Sequence, residues 1–266
     1  MIEVHTLSLG ACAMRYARFG RGKRQVLLLP GLTVQPVTPM AAATAAPYRD
    51  YFDDFTFTLL DRRENVPEGY TLTDMAEDTA GAITALGLSP CAVVGTSQGG
   101  MLALALAGRH PALVSRLVLC STAMRTDEPS RSLLRRWRSL AEAGEREELA
   151  HLFLRQMFSE AYLAPLEKGI SLLARRYTEE ELCRFARLCA AVETVDLTEE
   201  VRAVTCPALV LHGEADKVFP ASSAAALARA LGAEYYCYPA PCGHAVSTEA
   251  TDFSRRVCEF LFRNTP

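Results

Sequence analysis

Apolar and polar positions change rhythm along this chain, and the changes divide it into three parts. Residues 2–8 and 11–18 alternate apolar with polar around Gly10, which predicts an antiparallel hairpin at a sheet edge. Gln25-Val-Leu-Leu-Leu-Pro30-Gly31-Leu32 is instead a continuous apolar run, the pattern of a strand covered on both faces. Residues 39–50 are alanine-rich and read as helical, and 55–61 as the next strand. A helix is expected over 73–86, with Thr73 as N-cap and Gly87 as stop. A short apolar strand from Cys91, a helix over 101–109 and a strand over 114–121 complete this part.

From about 125 to 200 the strand-like runs almost vanish. Arg- and Glu-rich helical stretches replace them at 131–143, 146–158, 165–176 and 179–193. Sheet rhythm returns at 207–213, then a helix (222–231), a strand (233–238) and a terminal helix (248–262). Strand and helix alternating on both sides of an insertion imply an α/β fold with a mostly parallel central sheet covered on both faces. The expected division is a core of residues 1–124 and 201–266 with a helical cap at 125–200.

Composition narrows the classes. The 266 residues are 50% hydrophobic and 22% charged, ample for one large core without staples. A net charge of −3 gives no basic surface for nucleic acid. Nine cysteines are an odd, scattered set that suits free thiols in a reducing compartment. Met1-Ile-Glu-Val-His-Thr lacks the basic-then-apolar form of a signal peptide, and no apolar run approaches a membrane span. A cytoplasmic protein with a small-molecule partner is expected, with no nucleic-acid or membrane partner; a homodimer is left open.

One stretch carries chemistry. In Val94-Gly95-Thr96-Ser97-Gln98-Gly99-Gly100, Ser97 stands in the frame G-x-S-x-G between a strand and a helix. Strand and helix approach closely around such a turn, so Gly95 and Gly99 leave no room for a side chain. A serine nucleophile needs a base, and the base an orienting acid. Among the five histidines, His5 lies in the hairpin, His110 beside a proline, His151 on a charged helix and His212 inside a strand. His244 alone lies in a loop between a strand and the last helix, which makes it the candidate base. For the acid, Glu214 and Asp216 compete in the loop after residue 213; Asp216 lies deeper in the turn and is preferred.

Leu29-Pro-Gly-Leu, Gly95-Thr-Ser-Gln-Gly-Gly, Gly213-Glu-Ala-Asp and Cys242-Gly-His, in that order, resemble the α/β-hydrolase family over nearly the full length. The chain is similar to its small capped members: enol-lactonases, haloperoxidase-like esterases without cofactor, and carboxylesterases. The resemblance implies a Ser97–His244–Asp216 triad, and with it cleavage of a small ester or lactone through an acyl-serine. The same triad serves C–C hydrolysis, thioester cleavage and acyl transfer, and a slow-turnover ligand receptor is the reading of another class. One oxyanion donor is expected to be the backbone N–H of Gln98, at the start of the elbow helix. The resemblance assigns the second to the N–H of Leu32.

Two departures stand out. Pro30-Gly31 replaces a common His-Gly, and Asp61-Arg-Arg-Glu-Asn-Val-Pro replaces a D-x-R-G-x-G-x-S run. The second alternates in charge and reads as a surface loop without a catalytic part. Arg131, Arg135, Arg136 and Arg138 read as a solvated helix face, Trp137, Phe153, Met157 and Phe158 as packing within the insertion, and Cys242 as an inert thiol. No spacing calls for a metal or a cofactor.

Overall fold

The computed structural model describes residues 2–263; Met1 and residues 264–266 of the expected core segments lie outside it. Eight strands form one sheet in the order β1-β2-β4-β3-β5-β6-β7-β8. The hairpin is β1 (Val4–Leu9) with β2 (Cys12–Gly20), and β2 joins β4 (Phe55–Leu60) antiparallel. Every pairing beyond is parallel: β4 with β3 (Arg24–Leu29), then β5 (Cys91–Thr96), β6 (Val114–Cys120), β7 (Ala208–Gly213) and β8 (Glu234–Tyr238). The apolar runs are the inner strands. Val26 to Leu29 of β3 and Cys91 to Gly95 of β5 are buried, and each leucine or valine placed there contributes about 1.5–3 kcal/mol.

Helices cover both faces. α1 (Ala41–Ala45) and α12 (Phe253–Phe262) pack on one side. α2 (Leu72–Ala85), α3 (Gln98–Arg109) and α10 (Ala221–Leu231) pack on the other. The same core cluster takes in helices inserted between β6 and β7: α4 (Glu128–Glu142), α5 (Arg146–Met157), α6 (Glu160–Leu163), α7 (Glu167–Ala174), α8 (Glu179–Ala190) and α9 (Thr198–Ala203). The stem of the insertion is pinned: Thr126 N donates to Val195 O at 3.0 Å, and Leu197 N to Met124 O at 2.8 Å. Arg125 adds an ion pair with Asp196 at 3.1 Å.

Several helices differ from expectation for local reasons. The alanine-rich stretch is mostly 3-10 (Thr38–Met40 and Ala46–Tyr51) around the single turn of α1, because Pro39 and Pro47 donate no backbone hydrogen bond. The terminal helix breaks into α11 (Val246–Glu249) and α12, with Ala250 leaving helical backbone at ψ 113. The α2 cap is Thr71, not Thr73: Asp74 N donates to Thr71 Oγ1 at 3.1 Å, and Thr71 N returns a bond to Asp74 Oδ2 at 2.8 Å. That reciprocal box satisfies two donors at once. Thr71→Ala is therefore expected to cost about 1 kcal/mol and lower Tm by about 2–4 °C in calorimetry. Thr73→Ala, which removes no cap, should stay within about 0.5 kcal/mol of the parent.

Candidate active site

β5 runs into α3 with only Ser97 between them, and the turn is as tight as packing allows. A Cβ on Gly95 would sit 2.3 Å from Gly99 O, and one on Gly99 would sit 2.1 Å from Leu29 O. Nothing larger than hydrogen fits either place. Ser97 closes the turn at φ 53, ψ −121, a conformation costing a non-glycine residue about 1–3 kcal/mol. It is held there by its own backbone: Ser97 N donates to Cys120 O at 2.8 Å, and Ser97 O accepts from Thr122 Oγ1 at 2.9 Å. The residue as a whole keeps 7% exposure.

The loop after β3 passes directly over this serine. A Cβ on Gly31 would lie 3.2 Å from Ser97 Cβ, and Leu32 follows at once. Gln98 opens α3, so its N–H has no acceptor within the helix and stands at the positive end of the macrodipole. Its side chain reaches the insertion, where Nε2 donates to Leu188 O at 2.8 Å.

The carboxyl ends of β7 and β8 carry the other two candidates. Asp216 Oδ1 accepts from Val218 N at 2.7 Å and Phe219 N at 3.0 Å. Its Oδ2 lies 2.7 Å from His244 Nδ1, and both side chains are fully buried. Glu214, the competing acid, turns outward and accepts from Ala240 N at 2.9 Å. The two loops are in backbone contact: a Cβ on Gly213 would meet Gly243 O at 2.2 Å. With Nδ1 engaged, His244 Nε2 is buried with no hydrogen-bond partner among the described residues. Ser97, Asp216 and His244 thus all follow the carboxyl ends of parallel strands, the side of the sheet where ligands of such sheets bind; a hydrogen bond joins His244 to Asp216, and none among the described residues joins it to Ser97.

A second imidazole stands behind the acid. His212 Nε2 lies 3.0 Å from Phe219 O and 3.4 Å from Asp216 Oδ2. Burial pushes the Asp216 carboxyl up, but the charge and hydrogen bond of His244, then His212, leave it below the ordinary carboxylate value. Burial wins at His212, whose ring is held below the usual imidazole value against the pull of Asp216 and the Phe219 carbonyl. Inside a strand His212 gave no functional signal; its i, i+4 spacing to Asp216 was the available clue.

The segment after β4 corrects the surface-loop reading. Asp61 and Arg62 are 4% and 5% exposed. The Asp61 carboxylate accepts from Val37 N at 2.8 Å, Thr38 N at 3.0 Å and Thr38 Oγ1 at 2.6 Å. Arg62 Nη2 donates to Pro30 O at 2.7 Å, steadying the loop over Ser97. Of the arginines on α4, Arg131 pairs with Glu128, Arg136 with Glu148, and Arg135 and Arg138 with Glu193. Burial pushes the Cys242 thiol up to about 11, which keeps it protonated and unreactive.

A family model described as the α/β hydrolase fold matches residues 54–251. The chain belongs to the α/β-hydrolase family. It is 32% identical over 207 residues to RutD of Pantoea ananatis, named as a carbamate hydrolase, covering 75% of this chain and 74% of that one. Among solved structures, MGS-M2, an α/β hydrolase from a Medee basin deep-sea metagenome, superposes with a TM-score of 0.89 at 22% identity over 98% of both chains. The enol-lactonase of Burkholderia xenovorans gives 0.83 at 24% identity, over 97% of this chain and all of that one. At these identities the two structures speak for the fold.

Because the folded Asp216 carboxyl titrates below its unfolded value of 3.8, its contribution to stability is fully present well above that value. The contribution disappears as pH falls through the folded value. Asp216→Asn should therefore lower the urea midpoint at about pH 7, and the gap to the parent should narrow in acid below about pH 4. A gap of constant size across that range would show that the carboxylate charge is not what stabilises this corner.

Proposed function

We propose that this α/β hydrolase cleaves a small ester or lactone through an acyl-serine formed on Ser97. The observation that carries the reading is the 2.7 Å bond from His244 Nδ1 to Asp216 together with the buried, unpartnered Nε2 of the same ring. A neutral imidazole held by its Nδ1–H must present a lone pair at Nε2, and that lone pair accepts the serine proton as the hydroxyl attacks. Asp216 orients the ring and stabilises the imidazolium that follows. The N–H groups of Gln98 and Leu32 receive the developing oxyanion, each contributing about 3–4 kcal/mol. The protonated His244 then gives its proton to the leaving alcohol, and a water activated by the same ring cleaves the acyl-serine.

The low exposure of Ser97 favours a small acyl group, and the names of the relatives support hydrolysis of a small molecule. In this reading residues 125–200 are a cap over a core of 1–124 and 201–266, a division that the pinned stem at Thr126 and Leu197 supports. Nine free cysteines suit a cytoplasmic setting.

A fluorophosphonate probe should label the parent protein and leave Ser97→Ala unlabelled. The same variant should lose roughly five to six orders of magnitude in kcat on 4-nitrophenyl acetate. Hydrolysis that survives in Ser97→Ala would remove the assignment.

A further inference from the structure

Beside the loop that covers Ser97 lies a cavity of about 780 Å³, bounded by Thr33, Val34 and Gln35 on the core side and by Phe153, Leu173 and Arg184 on the inserted helices. Arg62 also lines it, and charge within its wall is unevenly spent. The Asp61 carboxylate is fully committed to the Val37 and Thr38 donors. Glu64 pairs with Arg15 at 2.6 Å. Glu181 caps α8 through Thr178 N at 2.9 Å and accepts from Gln35 Nε2 at 3.2 Å. Glu180 is exposed.

Among the described residues Arg62 and Arg184 have no such partner, nor has Arg176, which is exposed to solvent. The side chain of Arg62 makes one hydrogen bond among the described residues, to Pro30 O, and its Nε is buried without a partner. Among the described residues Arg184 donates only to the backbone carbonyls of Arg63 at 3.3 Å and Arg62 at 3.4 Å. Among the described residues no carboxylate oxygen lies within 4.0 Å of either guanidinium group. Burial and the neighbouring Arg184 push Arg62 down to about 10, which still leaves it charged at neutral pH. Arg62 is buried and Arg184 half-buried, and although the nearby Asp61 carboxylate favours both charges, neither guanidinium has a carboxylate in contact; a buried charge left so calls for a partner.

Both are also tied to the reacting serine. Arg62 holds Pro30, the residue before Gly31, where an added Cβ would lie 3.2 Å from Ser97 Cβ. Arg184 lies on α8 one turn before Leu188, whose carbonyl holds the Gln98 side chain.

We propose that Arg62 and Arg184 receive a free carboxylate carried by the substrate's acyl portion, so that the ester or lactone cleaved here is that of a short-chain diacid. Guanidinium forks match a carboxylate in shape, and the bound anion supplies the contact partner that these two guanidiniums lack. The proposal rests on Ser97 as nucleophile but is tested separately from it.

The parent and Arg184→Met are compared on 4-nitrophenyl hemisuccinate and 4-nitrophenyl butyrate, which differ in the terminal carboxylate. The parent should favour the hemisuccinate in kcat/KM, and the ratio of the two should fall roughly 10- to 100-fold in Arg184→Met. A ratio that does not move, or a parent that favours the butyrate, overturns the proposal, because a merely structural Arg184 would depress both substrates together. Calorimetric titration needs no turnover: succinate should bind the parent and Ser97→Ala, but bind Arg184→Met at least roughly 10-fold more weakly, while neutral succinamide binds none of them. If succinate binds as stated but Ser97→Ala still hydrolyses esters, the nucleophile assignment has failed and the anion site stands. If Ser97 is labelled and succinate does not bind, the anion site has failed alone.

Discussion

The close approach of β5, α3 and the loop after β3 is the constraint on which the rest of this molecule depends. Backbone atoms of Leu29 and Pro30 lie where a Gly99 side chain would be, and the Gly99 carbonyl lies where a Gly95 side chain would be. No relaxed serine conformation bridges strand and helix at that separation, so Ser97 takes φ 53. The strain of about 1–3 kcal/mol is small beside the burial around it. Met101, Leu102, Leu104 and Leu106 of α3 are fully enclosed, each contributing about 1.5–3 kcal/mol. The core can therefore hold the hydroxyl in a pose the local backbone disfavours, and it holds Gly31 against that hydroxyl by the same packing.

Around this fixed point the polar groups fall into two kinds. Some are saturated. Asp216 takes two amide donors on one oxygen and His244 on the other, and Asp61 takes three donors from residues 37 and 38. Others are buried and incomplete: His244 Nε2, Arg62 Nε, Gln98 Oε1 and His212 Nδ1. An unpaired buried polar atom costs about 1–3 kcal/mol, and most such atoms in folded proteins find partners. The saturated groups position the loops, whereas His244 and Arg62 among the incomplete ones carry the chemistry argued for this site.

How much of this was legible in the chain depended on the range of the cause. The elbow could be read because its reason is local: Gly95 and Gly99 flank Ser97 within one turn. His244 and Asp216 could be chosen by order and loop position, since each follows a strand and precedes a helix. The competition between Glu214 and Asp216 was a matter of where one turn points, and Ala240, across the β8 loop, takes Glu214 away. Asp61 and Arg62 were misread because alternating charge looks solvated until amides more than twenty residues earlier, and the Pro30 carbonyl, are brought to them. The α2 start was missed by two residues for a local reason, the Thr71–Asp74 box, which outweighed the more obvious threonine at the edge of the apolar periodicity. The break before α12 has no clear mark in the chain: residues 248–262 carry neither glycine nor proline.

The inserted helices are bound to the site by backbone as well as by packing. Ala245 N, next to the imidazole, donates to Met157 O at 2.8 Å at the end of α5. Ser159 N donates to Glu249 Oε1 at 2.7 Å, and Ser130 Oγ to Val218 O at 2.6 Å, beside Asp216. On the opposite side the Gln98 amide holds Leu188 of α8. These bonds join the insertion to each of the three loops that carry Ser97, Asp216 and His244. Each contributes on the order of 1 kcal/mol net, so lifting the insertion as a whole means breaking several at once. Displacing the middle of α5 or α7, away from these anchors, breaks fewer. Phe153 and Leu173, which wall the cavity beside Arg184, are on those two helices and only partly buried. Away from the backbone anchors, then, the insertion faces the core across the cavity beside Arg62 and Arg184, which is where the proposed substrate carboxylate would be received.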